Sequence, residues 1–263
     1  MLENLILVFV AGLITDLATG LGALPFFFRQ EFSDRALVFL WGLASGIMFF
    51  ASIFGLIPEG LASGTVWEVS VGLMIGVGLV VGASRLLDEY EIDPGTFEEA
   101  DFKKMVLILG VLTVHSFPEG VSIGVSFAEL GFEAGVPFMG FLIPPLAILM
   151  TIAISIHNIP EGVAISIPFN NMGVGKWRMM GAAIFSSLPQ PIGAVIAFYF
   201  VRQARQFMPI GFGFAAGAMI FLVATEFVEE AREQGESLGD WRKAFLVGGI
   251  AGLAIMLPLF VFL

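Results

Sequence analysis

Two stretches decide the reading: His115–Phe127, HSFPEGVSIGVSF, and His157–Phe169, HNIPEGVAISIPF. They share His, Pro, Glu and Gly at the same spacing, and they hold both histidines of the chain. Within each, His and Glu are four residues apart: His115 with Glu119, and His157 with Glu161. On a helix that spacing puts both side chains on one face, one turn apart. Each motif lies near the middle of a long apolar run, so two carboxylates fall where water is scarce.

The rest of the chain says why water is scarce. Of 263 residues, 57% are hydrophobic and 13% charged, and mean hydropathy is +0.94. Soluble domains carry roughly 25% charged residues and need a polar surface. A surface that faces lipid removes that need. A spanning helix takes about 20 apolar residues, and eight such stretches are read at about 4–28, 36–58, 65–87, 104–129, 137–168, 178–201, 208–229 and 243–263. None alternates with the period of a barrel strand. The expected fold class is therefore an all-α polytopic membrane protein of eight transmembrane helices in one transporter-sized domain, 1–263. The first stretch lacks a basic residue ahead of its apolar run and is interrupted by Asp16, so it reads as a span and not as a signal peptide. With no leader expected, the location expected is a prokaryotic plasma membrane. Cysteine is absent, which removes disulfides and thiolate ligands.

Basic residues give the orientation. Arg29, Arg35, Arg85, Lys103, Lys104, Lys176, Arg178, Arg232, Arg242 and Lys243 fall on one side of an eight-span arrangement, and only Arg202 and Arg205 on the other. Lysine and arginine stay cytoplasmic, so both termini are expected outside the cytoplasm. The cytoplasmic loop at about 88–103 is acidic: Asp88 to Asp101 holds seven acids around a DPG turn at 93–95. It reads as a solvated linker, with a weak cation-collecting surface on the cytoplasmic side as the alternative.

A second, fainter repeat relates span two, ASGIMFFASIFGLIPEG from Ala44, to span seven, AAGAMIFLVATEFVEEA from Ala215. Ala44, Gly46, Met48 and Glu59 align with Ala215, Gly217, Met219 and Glu230. The two spans cross in opposite directions, which gives the fold inverted-repeat character of the kind found in secondary transporters.

Ionised carboxylates at mid-span are costly, about 2.5–3.5 kcal/mol for a central Asp. A bound divalent cation offsets that cost, and imidazole with carboxylate suits zinc, iron, manganese or cobalt. Pro118 and Pro160 each remove a backbone donor inside these spans, and Gly120 and Gly162 allow close helix approach. A purely structural His–Glu tie is the alternative, and its repetition in two matched motifs argues against it. Asp16 and Glu226 are further intramembrane acids, readable as pathway residues or as packing contacts. Met48 stands open between core filler and ligand, and Asn158 and Gln190 between ligand and interhelical hydrogen bond. The GxxxG pairs Gly42/Gly46, Gly72/Gly76 and Gly78/Gly82 serve helix packing, within the chain or across a homodimer.

HSFPEG and HNIPEG resemble the two signature motifs of the ZIP family of divalent-metal transporters, and most of all its GufA-like prokaryotic branch. ASGIM in span two, LPQPIGA in span six and FAAGAM in span seven extend the resemblance over most of the chain. The resemblance implies a main metal site at Met48, His115, Glu119, His157, Asn158 and Glu161. It implies a neighbouring second site at position 116, Glu119, Asn158, Glu161 and position 190. The GufA-like pattern has Asn at position 116 and Glu at position 190, where this chain has Ser116 and Gln190. One strong site and a weak or absent second are therefore expected. The resemblance also implies transport toward the cytoplasm, with spans one, four, five and six carrying the metal past the others. The metal, whether zinc, iron, manganese, cobalt or cadmium, is then cargo and not a prosthetic group. The expected partners are that ion and the lipid bilayer, with no nucleic acid. Two enzyme readings compete. An intramembrane metalloprotease normally carries HExxH, and a diiron oxidase needs a larger ligand set than two histidines allow.

Overall fold

The computed structural model describes residues 1–28, 32–89, 116–131 and 135–262. His115, most of the acidic loop and the first half of the fourth predicted span lie outside the described residues. Span one is α1 (Leu2–Leu21) with a 3-10 turn, Leu24–Phe27. Span two is α2 (Asp34–Phe50), a π-helical turn (Ala51–Leu56) and α3 (Ile57–Ser63). Span three is α4 (Val66–Glu89), and residues 116–126 form α5. Span five is α6 (Pro145–Asn171). Span six divides into α7 (Lys176–Ser187) and α8 (Pro189–Gln203). Span seven is α9 (Met208–Leu222), a second π turn (Val223–Phe227) and α10 (Val228–Gln234), and span eight is α11 (Trp241–Phe262).

Six of these stretches are long and apolar enough to cross a membrane: Leu2–Phe27, Asp34–Ser63, Pro145–Ile167, Lys176–Gln203, Arg205–Gln234 and Trp241–Phe262. Val66–Gly82 is a shorter apolar helix. Large apolar side chains point outward along them, such as Ile14 on α1, Met74 on α4, Ile196 on α8 and Ile250 on α11. Buried polar groups gather inside, among them Thr15, Asp16, Glu119, His157, Asn158, Glu161, Ser187 and Gln190. A surface apolar outside and polar within suits lipid as the solvent.

The predicted start of span five needs correction. Residues Val136–Phe138 (β1) and Phe141–Ile143 (β2) form an antiparallel hairpin, with Val136 opposite Ile143, and the helix begins only at Pro145. The turn residues Met139 and Gly140 both have positive φ, 47° and 86°, the geometry of a two-residue hairpin turn. Pro137 cannot donate in a helix, and Pro145 biases Pro144 away from helical backbone. Apolarity alone hid these breaks. Span six is interrupted at Leu188 for a related reason, since Pro189 and Pro191 lack the N–H groups that would continue α7.

Close glycine approaches sort the helices into two bodies, with α2 also packed on α6 across them. A methyl group at Gly42 or Gly46 of α2 would strike the Phe245 or Gly249 carbonyl of α11, and one at Gly248 or Gly252 of α11 would strike Phe39 or Leu43 of α2. The same reciprocal fit joins Gly72 and Gly76 of α4 to Gly213 and Gly217 of α9. Gly42 and Gly46 stand to Gly213 and Gly217 as Ala44 does to Ala215, so the faint repeat is a repeat of packing as well. The π turns fall at the same place in both copies. Spans two, three, seven and eight thus form a glycine-zipped frame. The second body is built from α1, α5, α6, α7 and α8. Gly12 meets Pro191, Gly22 meets Ile159, Gly120 meets Gln190, Gly124 meets Ala194 and Gly162 meets Thr19, all through backbone. Between the bodies the contacts differ in kind: Gly55 faces the Leu146 side chain and Gly211 the Val125 side chain. A methyl group at Gly78 or Gly82 would meet nothing within 4 Å among the described residues.

Loop contacts agree with the predicted grouping of ends. Arg35 pairs with Asp240 at 3.2 Å, Ser237 donates to Asp34, and Lys176 donates to the Phe27 carbonyl, so loops one–two, five–six and seven–eight share an end. At the other end Arg202 donates to the Leu130 carbonyl, and Arg205 holds both oxygens of Glu129 at 2.8 and 2.7 Å.

Candidate metal centre

The close approaches described above set the geometry of the centre. Gly120 lets α5 lie against the start of α8, and Gly162 lets α6 lie against α1. Each glycine directly follows a motif glutamate, so the helices close together at the level of the carboxylates. Glu119, His157 and Glu161 converge there, all buried, with one ligand atom of each within 4.8 Å of the others. His157 Nε2 lies 3.1 Å from Glu119 Oε1 and 3.7 Å from Glu161 Oε2. The first distance is a hydrogen bond; the second is too long for one.

The two glutamates are held differently. Glu119 Oε2 accepts from Gln190 Nε2 at 2.6 Å, so both of its oxygens are engaged. Glu161 is 2% exposed, and neither oxygen has a hydrogen-bond donor among the described residues. Asn158 Nδ2 donates to Gln190 Oε1 at 3.0 Å and to the Thr15 carbonyl at 2.7 Å. Its Oδ1 is buried without a partner among the described residues, as is His157 Nδ1. The orphan atoms are acceptors or imidazole nitrogen, a donor set for a cation.

The other predicted residues are placed as follows. His115 lies outside the described residues. Ser116 is buried at the start of α5, and Gln190 sits in the first turn of α8, bridging Glu119 and Asn158. Met48 is buried on α2, the frame helix that packs against α6. Asp16 is fully buried on α1 with neither oxygen partnered among the described residues, one helical turn from Thr19, whose hydroxyl pairs with that of Ser187 at 2.7 Å. Glu226 lies in the second π turn, half-buried. Toward the end where Arg205 holds Glu129, a cavity of about 300 Å³ is lined by Glu59, Ser126, Glu129, Leu146 and Phe212.

Phe227 was not legible from the sequence. Its ring stacks on His157, centroids 5.3 Å apart and planes 21° apart, and Trp41 backs it at 5.1 Å. Nothing local distinguishes it among 28 phenylalanines. The nearest signal is its position next to Glu226 in the fainter repeat.

A helical, lipid-facing protein with imidazole and carboxylates converging at a buried centre belongs to the polytopic membrane proteins that handle divalent cations. Comparison with known proteins names the family. Residues 95–259, more than half of the chain, match the family model described as ZIP Zinc transporter. The chain is 32% identical over 257 residues to the zinc transporter ZIPB of Bordetella bronchiseptica, covering 91% of this chain and 76% of that one. It is 29% identical over 239 residues to the zinc transporter GufA of Myxococcus xanthus, covering 86% and 89%. A candidate zinc transporter of Arabidopsis thaliana is 39% identical over 216 residues, 81% of this chain. The chain spans about a third of that plant protein, which it matches over 33% of its length. The chain belongs to the ZIP family. That places it with transporters of divalent metal ions and sets aside the protease and oxidase alternatives.

Proposed function

We propose that this protein is a single transporter domain that moves a divalent transition-metal ion toward the cytoplasm, by alternating access around the centre between α5 and α6. Zinc is the first candidate for cargo, supported by the names its relatives carry. Iron, manganese, cobalt and cadmium suit the same nitrogen and oxygen donors. The observation that carries the reading is Glu161. A buried carboxylate with no donor at either oxygen among the described residues, beside a second carboxylate and an imidazole nitrogen, is a costly arrangement that a cation offsets.

In this reading His115, Glu119, His157 and Glu161 are the core ligands, with Asn158 Oδ1 and Met48 completing the shell. Gln190 takes up the Glu119 oxygen that a second ion at the 116/190 site would use, which favours a single occupied site. Asp16 is a pathway residue on α1, and Glu226 one on the π turn. With eight spans and both termini outside, as the distribution of basic residues supports, the cavity at Glu59 and Glu129 would open on the extracytoplasmic side. Two groups of helices that meet through side chains, among them Leu146, Val125 and the His157–Phe227 stack, with close glycine–backbone approaches kept inside each, suit a slide of α1 and α5–α8 along the frame. The membrane proposed is a prokaryotic plasma membrane, in keeping with the nearly full-length bacterial relatives. A homodimer, proposed here as the occupant of the open Gly78–Gly82 stripe, would leave this centre intact.

Zinc uptake into proteoliposomes loaded with a zinc-sensitive dye tests the proposal. Saturable influx in the wild type, lost in His115→Ala/His157→Ala, is expected. Equal flux in both, with insertion verified, would overturn it.

A further inference from the structure

His157 lacks the support that a ligating histidine ordinarily has. Such a histidine donates its second ring N–H to a carboxylate, carbonyl or water, and that bond fixes the ring. Here Nε2 faces Glu119 and Glu161, while Nδ1 is buried with no hydrogen-bond partner among the described residues. The ring is held by its face. Phe227 lies against it with planes 21° apart, and Trp41 packs on Phe227 with ring centroids 5.1 Å apart. All three rings are buried: His157 0%, Phe227 4% and Trp41 6% exposed.

The supporting ring comes from the other body. His157 is on α6, whereas Phe227 ends the π turn of span seven and Trp41 belongs to α2. A π turn inserts one residue into the helical ladder and turns the side chains around it to new directions. The twin π turn of span two ends at Leu56, also buried, so the repeat supplies an aliphatic side chain where span seven supplies a ring. The aromatic face occurs in the copy whose π turn meets the imidazole ring.

We propose that Phe227 is the positioning residue for His157, holding the imidazole with Nε2 toward the carboxylates while the two bodies are in the arrangement seen here. The inference rests on the reading that His157 ligates the cargo, and it adds a consequence. When the ligand-bearing body moves along the frame, the stack is undone and His157 loses its orientation. The ion is then held tightest in the present arrangement and loosened by the movement that releases it.

The test compares Phe227→Leu, which keeps an apolar side chain but removes the ring, with Phe227→Tyr, which keeps the ring face. The chain has two histidines, so protein labelled with ¹⁵N-histidine gives two imidazole signal sets, assigned with His115→Ala. In metal-free micelles the His157 ring protons are expected upfield in the wild type and in F227Y, and shifted downfield in F227L. Zn²⁺ affinity is expected to fall about tenfold or more in F227L, the size seen when a ligand's orienting partner is removed, and to stay near wild type in F227Y. Ring protons that do not respond to F227L would overturn the stack. Wild-type Zn²⁺ affinity in F227L, or an equal loss in F227Y, would overturn the positioning role. The proton shifts are read without metal, so they judge the stack even if the transport reading fails.

Discussion

The two HxxPEG copies share a motif, yet their glutamates live differently. Glu119 on α5 is saturated, with Gln190 on one oxygen and His157 on the other. Glu161 on α6 is buried with neither oxygen partnered among the described residues. The copies were made alike in sequence and became unlike through their neighbours: α5 lies against the α8 start that carries Gln190, and α6 against the α1 backbone. A centre with one satisfied and one unsatisfied carboxylate is partly assembled before the ion arrives, and the ion supplies what is missing.

The largest effect that follows is on uptake. Glu161→Gln and Glu119→Gln are each expected to reduce zinc influx in proteoliposomes to background, because each removes a charged ligand; residual saturable influx in E161Q would break the assignment. The next effect separates the copies. Gln190→Glu frees an amide-occupied oxygen and adds a carboxylate, so zinc bound at saturation is expected to rise from one to two ions per chain in equilibrium dialysis. A count that stays at one would mean the second seat is closed by something other than Gln190.

Stability without metal should show opposite signs. E161Q replaces a buried carboxyl group that has no donor among the described residues and is expected to stabilise the metal-free protein, whereas E119Q disturbs two existing hydrogen bonds and is expected to destabilise it. Each shift should be of the order of 1–3 kcal/mol, the cost of an unsatisfied buried group, and thermal unfolding with chelator present would measure both. The glycines are where the copies remain alike. Gly120→Ala and Gly162→Ala each press a methyl group into a backbone carbonyl and are expected to cost about 1–3 kcal/mol. Gly78→Ala, which meets nothing, should stay within about 0.5 kcal/mol.

Much of this could be read before any coordinates. Spacing alone put His157 and Glu161 on one face, and apolar length located most of the spans. Gly120 and Gly162 marked where helices close in, because only a missing side chain permits that approach. The hairpin at 136–143 was signalled by Pro137, Gly140, Pro144 and Pro145 and was masked by the apolar residues between them. What the sequence could not show was pairing across distance. That Gln190 would reach Glu119, 71 positions away, or that Phe227 would cover His157, depends on how two bodies settle against each other. Span-by-span patterns carry no record of that.

Zinc K-edge X-ray absorption on the zinc-loaded protein tests the central claim most directly. An ion bound at this centre should show a nitrogen and oxygen shell at about 2.0–2.1 Å with imidazole scattering, and that imidazole signal should shrink in His157→Ala. A shell without imidazole, or one unchanged by His157→Ala, would place the ion elsewhere and contradict the account.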